Sequence, residues 1–135
     1  MKLDLRNSIS FVKVDIIPSQ IPGHTEVLLC YELNPGQSCS IEPEQNQLLG
    51  KLIFTGMNTC DALESPAVTL PAGLYLFARR RCESMQTGEE HWLDLAVEQQ
   101  KDGLWQRCKP GNLLYVRHLH EDGAFVTQVF RPLAD

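Results

Sequence analysis

The sequence predicts an α+β fold: an antiparallel sheet with one or two helices on one face. Three observations in its second half carry that prediction. LPAGLYLF at 70–77 pairs a turn signal with an apolar run, since proline fixes its backbone angle and glycine accepts conformations other residues avoid. Thr87 and Glu90 stand three apart, the capping-box spacing in which each side chain satisfies a free backbone N–H. Asp122-Gly123 lies between two apolar runs, among the strongest short signals for a β-hairpin.

Taken in order, SISFVKVDII (Ser8–Ile17) is β-branched and partly alternating, which predicts a strand. Pro18, Pro22 and Gly23 break it. In TEVLLCYEL, Val27, Leu29, Tyr31 and Leu33 alternate with Glu26, Cys30 and Glu32, the pattern of a half-buried strand. Asn34-Pro35-Gly36 is a turn. From Glu42 to Phe54 two readings compete. Pro43 at a first helical position followed by Leu48, Leu49, Leu52 and Ile53 suits a short helix, while Gly50 and LIFT suit a strand. The leucine spacing favours the helix, with an extended stretch at Thr55–Thr59 after it.

Beyond Ser65-Pro66, Leu74, Leu76 and Ala78 alternate with Tyr75 and Phe77, as in a strand buried on both faces. The capping box then starts a helix whose apolar stripe is Trp92, Leu95 and Ala96, widened by Leu93 and Val97 and stopped at Gly103. LLYVRHLHE and AFVTQVFRP complete a βαββ unit. The chain divides into two loosely similar halves, about 8–61 and 67–133.

Composition narrows the classes of function. The 135 residues fit one domain, for which roughly 100–200 are usual. A hydrophobic content of 43% and a charged content of 21% suffice for a sizeable core. A net charge of −5 argues against direct nucleic-acid binding, which wants a basic face. Arg79-Arg80-Arg81 reads as a strand end reaching solvent rather than a phosphate site. No apolar run approaches the roughly 18–20 residues of a membrane span, and no signal-peptide pattern opens the chain. Five cysteines (30, 39, 60, 82 and 108) without a CxxC pair suggest free thiols in a reducing, cytoplasmic setting.

The hairpin register yields the candidate site. With Asp122 and Gly123 as a two-residue turn, Glu121 pairs with Ala124 and the alternation runs outward. Tyr115, Arg117 and Leu119 then share a face with Val126, Gln128 and Phe130. That face joins apolar area for affinity to a few polar groups for direction, which is what a small-molecule site needs. Tyr75, Trp92, Tyr115 and Phe130 are the expected apolar lining, and Arg117 and Gln128 the orienting groups. On the opposite face His118 and His120 point the same way, but two histidines near a turn are the usual content of a solvated face. No metal site or cofactor is therefore expected. Glu89 and Glu90 are explained by the helix cap, and no Ser/His/Asp or nucleophile-elbow pattern is present, so no catalytic residue is assigned.

The order LPAGLYLF, a capped helix carrying an aromatic, LLYVRHL and FVTQVFRPL resembles the second half of the GyrI-like effector-binding domain. That family includes standalone gyrase-inhibitor-type proteins and the drug-binding domains of some MerR- and AraC-type bacterial regulators. Pro71, Gly73 and Tyr75 represent its opening strand, and Val129-Phe130-Arg131-Pro132 its last. The resemblance implies two βαββ halves related by a pseudo-twofold, a curved antiparallel sheet, and a ligand cleft between the halves. In the multidrug-binding members an acidic residue on the last strand meets cationic drugs. Gln128 falls at that position, and a neutral amide cannot neutralise a buried cation. Some members are hydrolases of strained electrophiles, but Gln128 cannot act as a general base. In the first half, Thr25–Leu33 reads as a strand where the family has a helix.

The expected function is accordingly binding of a small, largely apolar, uncharged molecule, as a sensor or store in transcriptional regulation. With no helix-turn-helix of its own, the chain would then act with a DNA-binding domain or partner. The rival expectation is a protein-docking module of gyrase-inhibitor type, using aromatics around Trp105 and Phe125; a small-molecule hydrolase stands behind both.

Overall fold

This computed structural model describes residues 2–14, 26–33, 41–42, 47–48, 50–58, 67–82, 113–121 and 123–133. They form strands β1 (Lys2–Leu5), β2 (Ile9–Val14), β3 (Val27–Leu33), β4 (Ile41–Glu42), β5 (Gln47–Leu48) and β6 (Gly50–Met57). Strands β7 (Ala67–Leu70), β8 (Gly73–Cys82), β9 (Leu113–Glu121) and β10 (Ala124–Pro132) follow. Eight of them make one antiparallel sheet in the order β1-β8-β10-β9-β3-β6-β2-β7, and β4 pairs with β5 apart from it.

The ends of that order are tied together by the chain. β1 runs into β2 through Arg6–Ser8, and β7 into β8 through Pro71 and Ala72. Their pairings follow one another along a single bent ribbon, from Lys2↔Leu76 to Leu5↔Gly73 and then from Ile9↔Leu70 to Val12↔Ala67. At the bend Gly73 has φ 148°, an angle that favours glycine, and the Tyr75 hydroxyl donates 2.5 Å to the Pro71 carbonyl. One half of the ribbon extends the sheet beside β10 and the other beside β6, so the sheet curls into a half-barrel.

The order also has an internal symmetry. Exchanging β1, β2, β3 and β6 for β7, β8, β9 and β10 returns the same order read from the other end. β3 and β9 are the central pair, joined from Val27↔His118 to Glu32↔Leu113. The β9–β10 hairpin has the register that a two-residue Asp-Gly turn dictates, Glu121↔Ala124 through Tyr115↔Phe130, with Gly123 at φ 79°.

Curling gives the sheet a concave inner face lined by apolar side chains. Phe11, Leu28, Cys30, Leu70, Tyr75, Phe77, Tyr115 and Phe130 form one buried cluster there. Leu3 and Leu5 join it from one end of the sheet, Ile9 and Val68 from the other. Leu29, Leu76, Leu114, Val116 and Val129 are buried on the opposite face.

These observations correct the α+β expectation. The described residues are strands, turns and links without a helix, and they form an all-strand curled half-barrel in place of a curved sheet with helices on one face. The physical reason is pairing: the bent ribbon joins both ends of the strand order, which curls the sheet and gathers the side chains of its inner face into one apolar cluster. The helix expected at Glu42–Phe54 is also overturned, because Gly50–Met57 is a strand held between β3 and β2. Its leucine spacing mimics a helix. Pairing on both edges prevails, and Leu52 and Ile53 are left exposed where Cys30↔Phe54 is followed by Tyr31↔Leu52. That step makes Ile53 the extra residue of a bulge. β3 is not half-buried but buried on both faces, since Leu28 and Cys30 are as covered as Val27 and Leu29. In β8 only the middle, Tyr75–Phe77, is buried throughout, and Leu74 lies exposed opposite Asp4 at the sheet edge. The helix expected at 87–103 lies outside the described residues.

β6 also approaches the ribbon without room for a side chain. A Cβ at Gly56 would stand 2.7 Å from Val68 Cγ2 and 2.8 Å from Phe11 Cβ. Gly56→Ala is expected to destabilise the fold by about 1–3 kcal/mol, the usual cost of overpacking. Urea unfolding of both proteins measures it, and an unchanged midpoint would contradict this approach of β6 to β2 and β7.

Candidate functional site

Cross-strand partners in an antiparallel sheet share a face, so the inner face of the half-barrel can be read as rows. The first row runs Phe77, Phe130, Tyr115, Cys30 and Phe54 across β8, β10, β9, β3 and β6. The next runs Arg79, Gln128, Arg117, Leu28 and Gly56 across the same strands. An aromatic row thus lies directly beside a polar one.

In the aromatic row Phe130 is the hub. Its ring centroid is 5.0 Å from Phe77 and 5.6 Å from Tyr75, and Tyr75 meets Tyr115 edge-on at 6.3 Å. Each edge or tilted pair adds about 0.5–1.5 kcal/mol beyond its buried area. Three weakly polar heads belong to the same group: the Tyr75 and Tyr115 phenols and the Cys30 thiol, which is hydrogen-bonded to Tyr115. Burial pushes the Cys30 thiol up to about 12, with a small push from Glu32, although the Tyr115 bond opposes it. Burial first, and Cys30 second, raises both tyrosines above the usual phenol range. All three stay protonated and neutral near pH 7. A thiol in that state is a poor nucleophile, so the group can pack against and hydrogen-bond a ligand.

The polar row is wired through Arg117. Its Nε and Nη2 donate to Glu26 Oε1 at 2.6 and 2.5 Å, and its Nη1 donates to Gln128 Oε1 at 3.3 Å. The side chains of Arg117 and Glu26 are only 17% and 21% exposed. At the outer end, Arg79 Nη2 lies 3.5 Å from Glu121 Oε1, both well exposed, a geometry that contributes little to stability. Both guanidinium groups of this row therefore have a carboxylate partner.

Of the residues singled out from sequence, Tyr75, Tyr115 and Phe130 meet in the aromatic row, and Arg117 and Gln128 are bonded in the polar row. Trp92 lies outside the described residues, as do Trp105, Glu89, Glu90 and Cys108. Sequence reasoning missed Glu26, Cys30 and Phe77. Glu26 is 91 positions from Arg117 and carries no local signal. Cys30 had been assigned to the polar side of its strand. Phe77 could have been found by carrying the hairpin register one strand further.

The two histidines share a face, as alternation requires, but their surroundings differ. His118 is 1% exposed, with Nδ1 3.0 Å from Thr127 Oγ1 and Nε2 buried without a hydrogen-bond partner. His120 is exposed and its ring stands 4.9 Å from Phe125. Glu121 lies on the other face, against Arg79. Among the described residues no group of three or more His, Cys, Asp or Glu side chains stands together to hold a metal ion. The described residues contain no helix long and apolar enough to cross a membrane.

Two outcomes follow. A double-mutant cycle of Glu26→Gln and Arg117→Met should give a coupling energy of about 1–3 kcal/mol in urea unfolding; additive effects would mean that the pair is not formed. Desolvation lowers His118 to about 4 from 6.5. Between those values the unfolded chain binds the proton and the folded chain does not, so stability is complete above pH 6.5 and is lost as pH falls toward 4. The loss is of order 3 kcal/mol, and His118→Gln should lose correspondingly less over the same interval; parallel pH profiles for the two proteins would contradict a buried, neutral His118.

No family model matches the chain, and no curated protein or solved structure matches it.

Proposed function

We propose that the chain binds a small, largely apolar and uncharged molecule on the inner face of the half-barrel. One observation carries this reading: the aromatic row through Phe77, Phe130 and Tyr115 is adjacent to the polar row through Gln128 and Arg117. Apolar area beside a few fixed polar groups is how small-molecule sites combine affinity with orientation. The uncharged character follows from the pairing of Arg117 with Glu26 and of Arg79 with Glu121, which leaves neither guanidinium to demand an anion. A cation would lack a carboxylate not already engaged in that row.

Two further points support the reading. The strand order repeats between the first and second halves, so the aromatic and polar rows lie where β9 and β10 of the second half meet β3 of the first. Tyr75, Tyr115 and Cys30 stay protonated near neutral pH, so the interior presents neutral groups to its ligand. In this reading the domain senses or sequesters its ligand in a cytoplasmic regulatory system, together with a DNA-binding domain or partner.

A thermal-stability screen against neutral aromatics, organic cations and organic acids tests the proposal. Neutral aromatics are expected to raise the unfolding midpoint. Binding to the native state alone is worth about 2.7 kcal/mol at a hundredfold excess over the dissociation constant. Phe77→Leu, which trims the aromatic row, should weaken that response. No shift with any class of compound would overturn the reading in favour of a docking module, and a response to cations alone would overturn the neutral ligand.

A further inference from the structure

The proposed site contains a donor whose direction is set by its neighbours. Arginine has no hydrogen-bond acceptor, so the Gln128 atom that meets Arg117 Nη1 must be the amide oxygen, and the 3.3 Å contact is made by Oε1. The usual ambiguity between the oxygen and nitrogen of an amide does not arise here. Arg117 is in turn fixed by Glu26, the residue just before β3, which accepts from both Nε and Nη2. This chain from Glu26 through Arg117 to Gln128 turns the amide nitrogen away from Arg117. No described residue accepts a hydrogen bond from that nitrogen, although Gln128 is only 8% exposed. Its strand neighbour on the same face is Phe130, the hub of the aromatic row. The amide nitrogen is not among the buried atoms left without a partner, so its N–H groups reach solvent and are open to an acceptor that a ligand brings. A ligand that covers them without one loses their hydrogen bonds to water.

We propose that Gln128 selects ligands carrying a hydrogen-bond acceptor, a carbonyl or similar oxygen, next to a flat apolar body, with Arg117 and Glu26 as its positioning residues. This inference rests on the ligand-binding reading above and adds the chemistry of the ligand's polar end. A ligand that presents a donor at that point meets another donor. A pure hydrocarbon leaves the amide unsatisfied.

The test is a pair of probes of nearly the same shape, acetophenone and α-methylstyrene, which differ in a carbonyl oxygen replaced by a methylene. Dissociation constants are measured by NMR titration of the whole chain. A generic apolar cavity prefers the more hydrophobic α-methylstyrene. Acetophenone is expected to bind about three- to tenfold more tightly, the ratio that one neutral hydrogen bond provides. Gln128→Leu should invert the preference. Glu26→Gln, which loosens Arg117 without touching the ligand, should narrow it while changing the affinity for α-methylstyrene little.

Equal binding, or tighter binding of the hydrocarbon, by the unmutated chain would overturn the acceptor preference and leave the ligand site standing. A preference for acetophenone that survives Gln128→Leu would assign the donor to another residue and overturn the role of Gln128. Binding of neither probe, when other neutral aromatics stabilise the chain, would overturn this inference alone. If no compound of any class binds, the site itself is overturned with it.

Discussion

The bent ribbon formed by β1 and β2 against β7 and β8 is the constraint from which the other features follow. Its ladder continues past the bend at Arg6–Ser8 and Pro71–Ala72, so both ends of the sheet order belong to one piece of structure. A sheet tied in this way cannot lie flat. It curls, and curling brings Leu3 and Leu5 into the same apolar cluster as Ile9, Val68 and Leu70. Small elements set the bend: glycine at 73, a proline that leaves its carbonyl to accept from Tyr75, and a link of few residues on either strand.

Curvature also gives the inner face its chemistry. Aromatic side chains in the middle of a twisted sheet converge when the sheet closes over them, and Tyr75, Phe77, Tyr115 and Phe130 pack edge-on or tilted, the arrangements their quadrupoles favour. The same enclosure raises the cost of any charge in that space. Arg117 stands next to the aromatic row because Glu26 crosses from the first half of the chain to meet it. The Cys30 thiol and the two phenols remain neutral for the same reason, so one physical cause, desolvation, governs both the ion pair and the protonation states.

Desolvation also shapes the opposite face, with a different outcome. Among the described residues no carboxylate compensates the burial of His118. It stays neutral, bonded through one nitrogen to Thr127, with the other nitrogen buried and without a partner among the described residues. Its neighbour two positions on, His120, projects the same way yet is exposed beside Phe125. Alternation fixed which way each ring points. Depth beneath the surface, which alternation does not encode, separated a pH-sensitive core group from an ordinary surface one.

Local sequence by itself determined much of this protein. The Asp-Gly turn set the whole register of β9 and β10, and with it the shared face of Tyr115, Arg117, Gln128 and Phe130, because side chains alternate strictly from the point where a tight turn fixes the first pair. Proline and glycine at 71 and 73 marked the bend, a β-branched run marked β2 and an alternating one marked β3. Tertiary structure alone decided three things. Gly50–Met57 became a strand because partners on both edges outweigh a helical leucine spacing, and partners are not visible in a window of ten residues. Glu26 met Arg117 through a contact between residues far apart in the chain. Among the described residues, the all-strand half-barrel followed from which strands became neighbours, a choice that depends on pairing segments far apart in the chain and that no single stretch of it records.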